Sequence, residues 1–283
     1  MGHLHYKLTA GTHPGCVRSN NEDNFLVSCD LGLQEWFLPA EEEQDTLRPI
    51  PEQGLLLTVA DGMGGMNAGE VASQLAMETV SSLLVPSRLP SGLFGKQQKM
   101  QELLSQLVEE ADARIKKEAE AHPACQGMGT TLVVALIQGQ YAHIGWCGDS
   151  RAYVFNEKGV LKQLTKDHSY VQELVDAGTL DANAAFTHPQ NNLITRSLGD
   201  PAGSAVADML SFKLHDGDLL LLCSDGLCSM IRNSQLEGLL CQQRAQTHTK
   251  EIALGPCRKA LIDAALEAGG YDNVTVALCQ VFK

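Results

Sequence analysis

The sequence predicts an α+β fold, a single domain with antiparallel sheets at its centre and helices outside them. Three observations carry this. Strand-like and helix-like segments come in blocks (strands, two helices, many strands, two helices, one strand) instead of alternating as βαβ units. Short apolar runs separated by Gly, Asp and Asn turns fill the middle of the chain, which is the spacing of an antiparallel meander. A length of 283 residues without internal repeats or low-complexity segments suits one large domain with a real core.

Each element follows from local pattern. Residues 5–10 read as a first strand. Residues 15–27 begin polar and turn-rich and rise into a strand at 25–28, so Arg18, Glu22 and Asp23 stand just before or at a strand start. Residues 32–53, with three consecutive acids at 41–43 and prolines at 39, 49 and 51, read as an irregular solvated connection. The mainly apolar run 55–60 is a buried strand ending at Asp61, and Gly62, Met63, Gly64 and Gly65 then form a tight turn with the carboxylate at its tip. From a cap at Asn67, residues Val71, Leu75, Val80, Leu83 and Leu84 mark the apolar face of a helix. A loop at 86–95 leads to a second helix, 97–121, with Leu104, Leu107, Val108, Ala111 and Ile115 inward and Glu109, Glu110, Lys116 and Lys117 outward.

Strands at 132–137, 141–146 and 152–155 follow, with Asp149 in the turn between the last two. A short helix near 170–177 ends at Gly178, and 179–209 is irregular. Strands at 209–214 and 218–223 read as a pair around the turn at 215–217. Helices at about 233–243 and 248–268 precede a last strand, 274–281. Asp225 leaves the apolar run 219–223 as Asp61 leaves 55–60, and Asp272 stands at the entrance of the last strand.

Composition narrows the function. A formal net charge of −13 argues against a general nucleic-acid binder, which presents a basic face, and raises the affinity of any carboxylate cluster for cations. The nine cysteines are scattered singly with no CxxC pair, so a zinc ribbon is not expected. Their odd number, the lack of a signal peptide and the apolar settings of Cys147, Cys223 and Cys279 point to buried thiols in a reducing compartment. The apolar runs fall far short of the ~20 residues of a membrane span, and Tyr6 breaks the myristoylation pattern. The expected location is the cytoplasm, without membrane association.

Asp61, Asp225 and Asp272 all stand at ends of buried strands, with Asp23 near a fourth. Clustered unpaired carboxylates repel one another unless Arg or divalent cations neutralise them. Oxygen-only ligands suit Mg²⁺ or Mn²⁺ rather than zinc, and Gly62 lets a backbone carbonyl approach a metal. Two such ions ~3.5–4 Å apart clamp an in-line phosphoryl displacement and lower the pKa of a bridging water. Arg18 offers a fork for the substrate phosphate. P-loop and dinucleotide-binding glycine patterns and covalent-nucleophile spacings are absent. These residues point to a dimetal phosphohydrolase.

Taken together, Arg18–Asp23, Val59–Gly65, Gly127–Thr131, Gly148–Arg151, Ile194–Gly199, Ser224–Leu227 and Gly270–Asn273 resemble the motifs of the metal-dependent Ser/Thr protein phosphatases of type 2C (PPM) in their compact bacterial form, in family order and over nearly the whole chain. The resemblance implies a four-layer α-β-β-α sandwich over residues 1–283, with a flap subdomain at about 165–205. It implies that Asp61 bridges two metals, that the Gly62 carbonyl binds one and that Asp225 and Asp272 bind the other. Glu22 and Asp23 hold metal-bound waters, Arg18 holds the phosphate, and Asp149 matches the site of a weaker third ion. The implied cofactor is Mn²⁺ or Mg²⁺. The implied reaction is direct attack of a metal-activated water on phosphoserine or phosphothreonine in proteins, reversing a Ser/Thr kinase in bacterial signalling, with the chain as a monomer.

Two positions depart from widespread family patterns. Met63 stands where many eukaryotic members have a histidine proposed as general acid, so the leaving-group proton comes from metal-bound water or another group; His143, His168 and His188 read better as solvated or hydrogen-bonded side chains. Ser229 stands where an Asp often helps to bind the third metal, which turns attention to the flap carboxylates Asp176 and Asp181. The rivals are a pseudophosphatase, disfavoured because the primary ligands are all present, and a phosphatase of small esters.

Overall fold

A computed structural model describes residues 4–37, 46–64, 68–87 and 97–283. The acids at 41–43, Gly65, the cap at Asn67 and loop residues 88–95 lie outside the described residues. In chain order the strands are β1 (His5–His13), β2 (Asp23–Asp30), β3 (Glu35–Phe37), β4 (Arg48–Pro49), β5 (Leu55–Met63), β6 (Gly129–Thr130), β7 (Leu132–Gln138), β8 (Tyr141–Cys147), β9 (Arg151–Phe155), β10 (Leu161–Gln163), β11 (Asp208–Lys213), β12 (Leu219–Cys223) and β13 (Val274–Phe282). The helices are α1 (Ala68–Leu83), α2 (Gln97–Ala121), α3 (Tyr170–Asp176), α4 (Ala182–Ala185), α5 (Asp225–Cys228), α6 (Asn233–Thr247) and α7 (Leu254–Glu267).

The strands form two antiparallel sheets. One runs β10-β9-β12-β13-β1-β4; the other runs β11-β8-β7-β5-β2-β3, with β6 paired to the end of β5. Alternate residues of one strand serve two cores. On β5, Leu55, Leu57 and Val59 point between the sheets with Tyr6, Phe25, Val133, Leu220, Leu222 and Cys279. Leu56 and Ala60 point the other way, under Ala72, Ala76 and Val80 of α1 and Leu104, Leu107 and Ile115 of α2. The second sheet does the same: Leu221 and Leu278 pack outward with Tyr153 and Phe155 under Leu236 and Leu240 of α6 and Leu261 of α7. Because both faces of these strands are covered, their sequences are continuously apolar instead of alternating.

The structure corrects several element readings. The irregular connection 32–53 contains the short strands β3 and β4, and Pro49 is accommodated because β4 is an edge strand. The strands at 132–155 are not one meander. β7 and β8 pair, whereas β9 crosses to the other sheet and pairs with β12. Likewise the strands around 215–217 are not a pair, since β11 joins β8 and β12 joins β13 and β9. The irregular segment 179–209 holds the short helix α4, capped by the Asp181 side chain, which accepts the Asn183 N–H at 2.9 Å. Cys147, Cys223 and Cys279 are buried free thiols as expected, while Cys16 and Cys241 are exposed.

Candidate active site

The predicted carboxylates converge because the strands that carry them end at one rim of the sandwich. Asp23 opens β2 directly opposite Asp61 of β5. Asp225 opens α5 immediately after β12, and Asp272 lies two residues before β13, the neighbour of β12. A hydrogen bond across the sheets locks the two halves: Ser224 Oγ donates to Asp23 Oδ2 at 2.6 Å, and Ser224 Oγ itself accepts the Thr275 N–H at 3.0 Å.

β5 does not stop at Asp61. It runs on to Met63 and pairs Gly62 with Thr130 and Met63 with Gly129. The Asp61 backbone is clamped on both sides: its carbonyl accepts Thr131 N–H and Thr130 Oγ1 at 2.9 Å, and its N–H donates to Thr131 Oγ1 at 3.0 Å. Asp61 is therefore a rigidly held strand residue rather than the tip of a turn. Gly62 is required by close packing, because a Cβ there would lie 2.1 Å from the Gly69 carbonyl oxygen at the start of α1 and 2.6 Å from that of Glu22.

Asp149 sits where the chain crosses between sheets, not in a hairpin. Gly148 makes that crossing with φ at 113°, a conformation that L side chains resist. Its N–H donates to His168 Nδ1 at 3.0 Å. Ser150 Oγ and Thr131 Oγ1, 2.7 Å apart, tie the crossing to the residue that holds Asp61. Beyond it, the Arg151 guanidinium is committed to Asp167, with Nη2 2.6 Å from Oδ2 and Nε 2.9 Å from Oδ1.

The electrostatics are those of too many buried acids. Burial pushes Asp23 up to about 7, with the charges of Asp225 and Asp272 adding and the hydrogen bonds from Ser224 and Thr275 opposing. Burial, then the charges of Asp23, Asp225, Asp149 and Asp272, hold Asp61 well above the ordinary carboxylate range. Asp149 is raised by burial and by Asp225, and Asp225 by burial and by Asp272. Glu22 is raised chiefly by burial, and the nearby Arg18 lowers it. Asp23 Oδ1, Asp149 Oδ1 and Asp225 Oδ1 are buried without a hydrogen-bond partner. Orphaned anionic oxygens in a repelling cluster fit divalent cations. Among the described residues no group of three or more His, Cys, Asp or Glu side chains is already drawn together around a cation position. A donor set of carboxylates and a backbone carbonyl suits hard cations that keep waters of their own.

Arg18 stands at the rim with Nη2 2.7 Å from Asp272 Oδ2, both side chains partly open to solvent. Its loop is held by Asn273, a residue whose role was not legible in the sequence. Asn273 Nδ2 donates to the carbonyls of Pro14 at 2.9 Å and Asn20 at 2.8 Å, and Oδ1 accepts the Glu22 N–H at 2.8 Å. Asn273→Ala leaves these three backbone groups unpaired, at a cost of about 3 kcal/mol. The expected result is a fall of roughly 5–10 °C in melting temperature, with a rise in KM as Arg18 loses its support; thermal denaturation and steady-state kinetics check both.

The remaining candidates are engaged in other ways. Asp176 pairs with Lys166 at 2.6 Å on the surface, and Asp181 caps α4. Ser229 lies near Asp149 and Asp225 along the same cleft. His143 bonds Ser211 Oγ at 2.8 Å, and His188 Nδ1 accepts the Gln190 N–H at 3.1 Å. His168 is buried with Nε2 3.3 Å from Asp208. These histidines are hydrogen-bonded structural groups, as read from the sequence.

With this geometry in place, similarity to known proteins is informative. The family model for protein phosphatase 2C matches residues 41–266. The serine/threonine phosphatase stp of Listeria monocytogenes is 33% identical over 269 residues, 95% of this chain and 93% of its own length. Protein phosphatase PhpP of Streptococcus pneumoniae is 37% identical over 229 residues, 80% of this chain and 85% of its own length. Among solved structures, the catalytic domain of the serine threonine protein phosphatase PstP in complex with two manganese ions superposes with a TM-score of 0.75 at 31% identity, covering 99% of this chain and 100% of that one. Stp1 from Staphylococcus aureus does so with a TM-score of 0.77 at 29% identity, covering 96% and 94%. The chain belongs to the protein phosphatase 2C family. Within it, the bacterial enzymes it matches over most of its length make it a serine/threonine protein phosphatase.

Proposed function

We propose that the chain hydrolyses phosphoserine and phosphothreonine in proteins with Mn²⁺ or Mg²⁺ held by Asp61, the Gly62 carbonyl, Asp225 and Asp272. Glu22 and Asp23 orient waters around that set, and Asp149 serves a further cation. The observation that carries the reading is the group of buried carboxylate oxygens on Asp23, Asp149 and Asp225 that no protein donor satisfies. A relative crystallised with two manganese ions supports the choice of metal. When bound, two divalent cations neutralise phosphoryl charge and lower the pKa of a coordinated water.

The protein's own groups do the rest. Arg18, reaching out beside Asp272, grips the phosphoryl oxygens with its planar fork and fixes the ester in line. The Thr130–Thr131 clamp and the Ser224 bond to Asp23 hold the carboxylates without reorganisation. Met63 has no proton to give, and the three histidines are engaged elsewhere, so the leaving oxygen is protonated by a group other than these. The setting we infer is a cytoplasmic, monomeric enzyme that opposes a Ser/Thr kinase in bacterial signalling. Among the described residues no helix is long and apolar enough to cross a membrane.

The test is turnover of p-nitrophenyl phosphate and of phosphoserine and phosphothreonine peptides with Mn²⁺ and after EDTA treatment. The expected result is cation-dependent turnover, with peptides preferred over small phosphorylated metabolites. Equal rates in EDTA, or no turnover with Mn²⁺, overturn the reading; faster turnover of metabolites moves the substrate to a small ester.

A further inference from the structure

A cleft of about 360 Å³ opens beside the catalytic carboxylates. Its lining includes Asp149 and Asp225, Asn183 and Phe186 at α4, and Arg232 and Asn233 at the start of α6. Two of the site's carboxylates thus line it, so on the phosphatase reading it adjoins the phosphorylated residue and offers room for the polypeptide that flanks it.

The cations of this cleft are differently disposed. Arg151 is consumed by Asp167, with which it makes three hydrogen bonds. Arg232 is held but not neutralised. Its guanidinium carbon lies 4.2 Å from the centre of the Phe186 ring, and its single hydrogen bond among the described residues runs from Nη1 to the Asn183 carbonyl at 3.4 Å. In a chain with 34 acidic and 21 basic residues, an arginine with no carboxylate partner among the described residues is a cation kept available. Its placement is also locally unfavourable. It occupies the N-cap of α6, where a positive charge meets the positive end of the helix dipole and where Ser, Thr, Asp or Asn is preferred. Gln235 Oε1 accepts the Arg232 N–H at 3.0 Å, but the Arg side chain has no acceptor with which to cap in return. Stacking on Phe186 orders the guanidinium plane and leaves most of its N–H donors unengaged.

We infer that this cleft receives the chain flanking the phosphorylated residue and that Arg232 selects a negatively charged group on it, either an Asp or Glu side chain or a second phosphoryl group. The inference rests on the phosphatase reading of the adjoining carboxylates. Arg232 lines the same cleft as Asp149 and Asp225 without belonging to the carboxylate cluster, so it is a specificity residue rather than a catalytic one.

The experiment uses the full chain with Mn²⁺ and phosphothreonine peptides carrying Asp, phosphoserine, Ala or Lys at positions two to four on either side. The readout is the ratio of kcat/KM between charged and Ala peptides within each enzyme, so that a general loss of activity cancels. Wild type is expected to favour the acidic peptides about three- to tenfold at one position, and the ratio shrinks as ionic strength rises. R232Q brings the ratio to about one, and R232E shifts preference to the Lys peptide. R232K keeps preference for Asp but loses more of it for phosphoserine if the fork grips a phosphoryl group; equal retention for both assigns the contact to charge alone. A wild-type ratio of one at every position, or an acidic preference that survives in R232E, overturns the assignment of Arg232 while peptide hydrolysis still supports the phosphatase reading. No hydrolysis of any peptide overturns both.

Discussion

Asp61→Asn is expected to lower phosphatase turnover by about 10³-fold or more and, in the same protein, to raise the melting temperature measured in EDTA. The loss follows from removing one anionic ligand from the centre of a site whose chemistry depends on several kcal/mol of charge stabilisation. The gain follows from electrostatics: Asp61 is raised by burial and then by the charges of Asp23, Asp225, Asp149 and Asp272, so it is the carboxylate against which the others press. Asn keeps the shape and removes that pressure. The change leaves the strand in place, because Thr130 and Thr131 grip the backbone of residue 61 and not its side chain. Steady-state kinetics with Mn²⁺ and thermal denaturation in EDTA read the two effects. A variant as active as wild type, or one that melts lower without metal, removes Asp61 from the role assigned to it. Full activity in Asp225→Asn counts equally against the site.

The opposite signs of these two effects explain why this part of the molecule was so legible. Carboxylates at the ends of apolar strands conflict with local stability, and such conflicts mark function. Asp61, Asp225 and Asp272 each stand out for that reason before any partner is known. Neutral residues carry no such signal. Ser224 works on Asp23, 201 positions away, and Asn273 works on Glu22 and Asn20, more than 250 positions away, so their roles exist only once the sheets are assembled. Arg232 carries no such signal either, since its meaning lies in having no carboxylate partner among the described residues while it stacks on Phe186 beside the cleft.

The same distinction divides the fold. Element type was readable because burial on both faces makes β5, β7 and β12 continuously apolar and helical periodicity marks α1 and α2. Sheet membership was not. The short turns at 148–150 and 215–217 look like hairpin turns, yet each carries the chain over the edge of the sandwich into the other sheet. What decides between hairpin and crossover is contact with distant strands: Cys223 of β12 faces Val276 on one side and Arg151 on the other. The reading of Asp61 as a strand tip failed in the same way, because the pairing that extends β5 comes from β6, about seventy residues on.

Stripping divalent cations is expected to make folding stability fall as pH rises from about 5 to about 7.5, and saturating Mn²⁺ to reverse that slope. Asp23 ordinarily titrates at 3.8 and is pushed up to about 7 in the fold, chiefly by burial. Between those values the native state holds a proton that the unfolded chain has released. Stability is therefore greatest below the unfolded value and is lost as pH climbs through the folded one. Asp61, Asp149 and Asp225 are raised chiefly by burial, with the charge of Asp225 adding at Asp61 and Asp149 and that of Asp272 adding at Asp225, and they contribute to the slope with the same sign. The half-buried His143 and the buried His168, both lowered by burial, pull the other way, since the unfolded chain binds protons that they refuse. The carboxylates lowered by their ion pairs, such as Asp208 and Asp216, act below this window. Cations compete with protons for the same oxygens, so their stabilisation grows with pH. At a hundredfold excess over the dissociation constant it reaches about 2.7 kcal/mol, or a rise of roughly 5–10 °C in melting temperature. Because the histidines titrate with or without metal, the difference between urea denaturation curves in Mn²⁺ and in EDTA isolates the acid cluster. A difference that does not widen between pH 5 and pH 7.5 means that the cations are not held by these carboxylates.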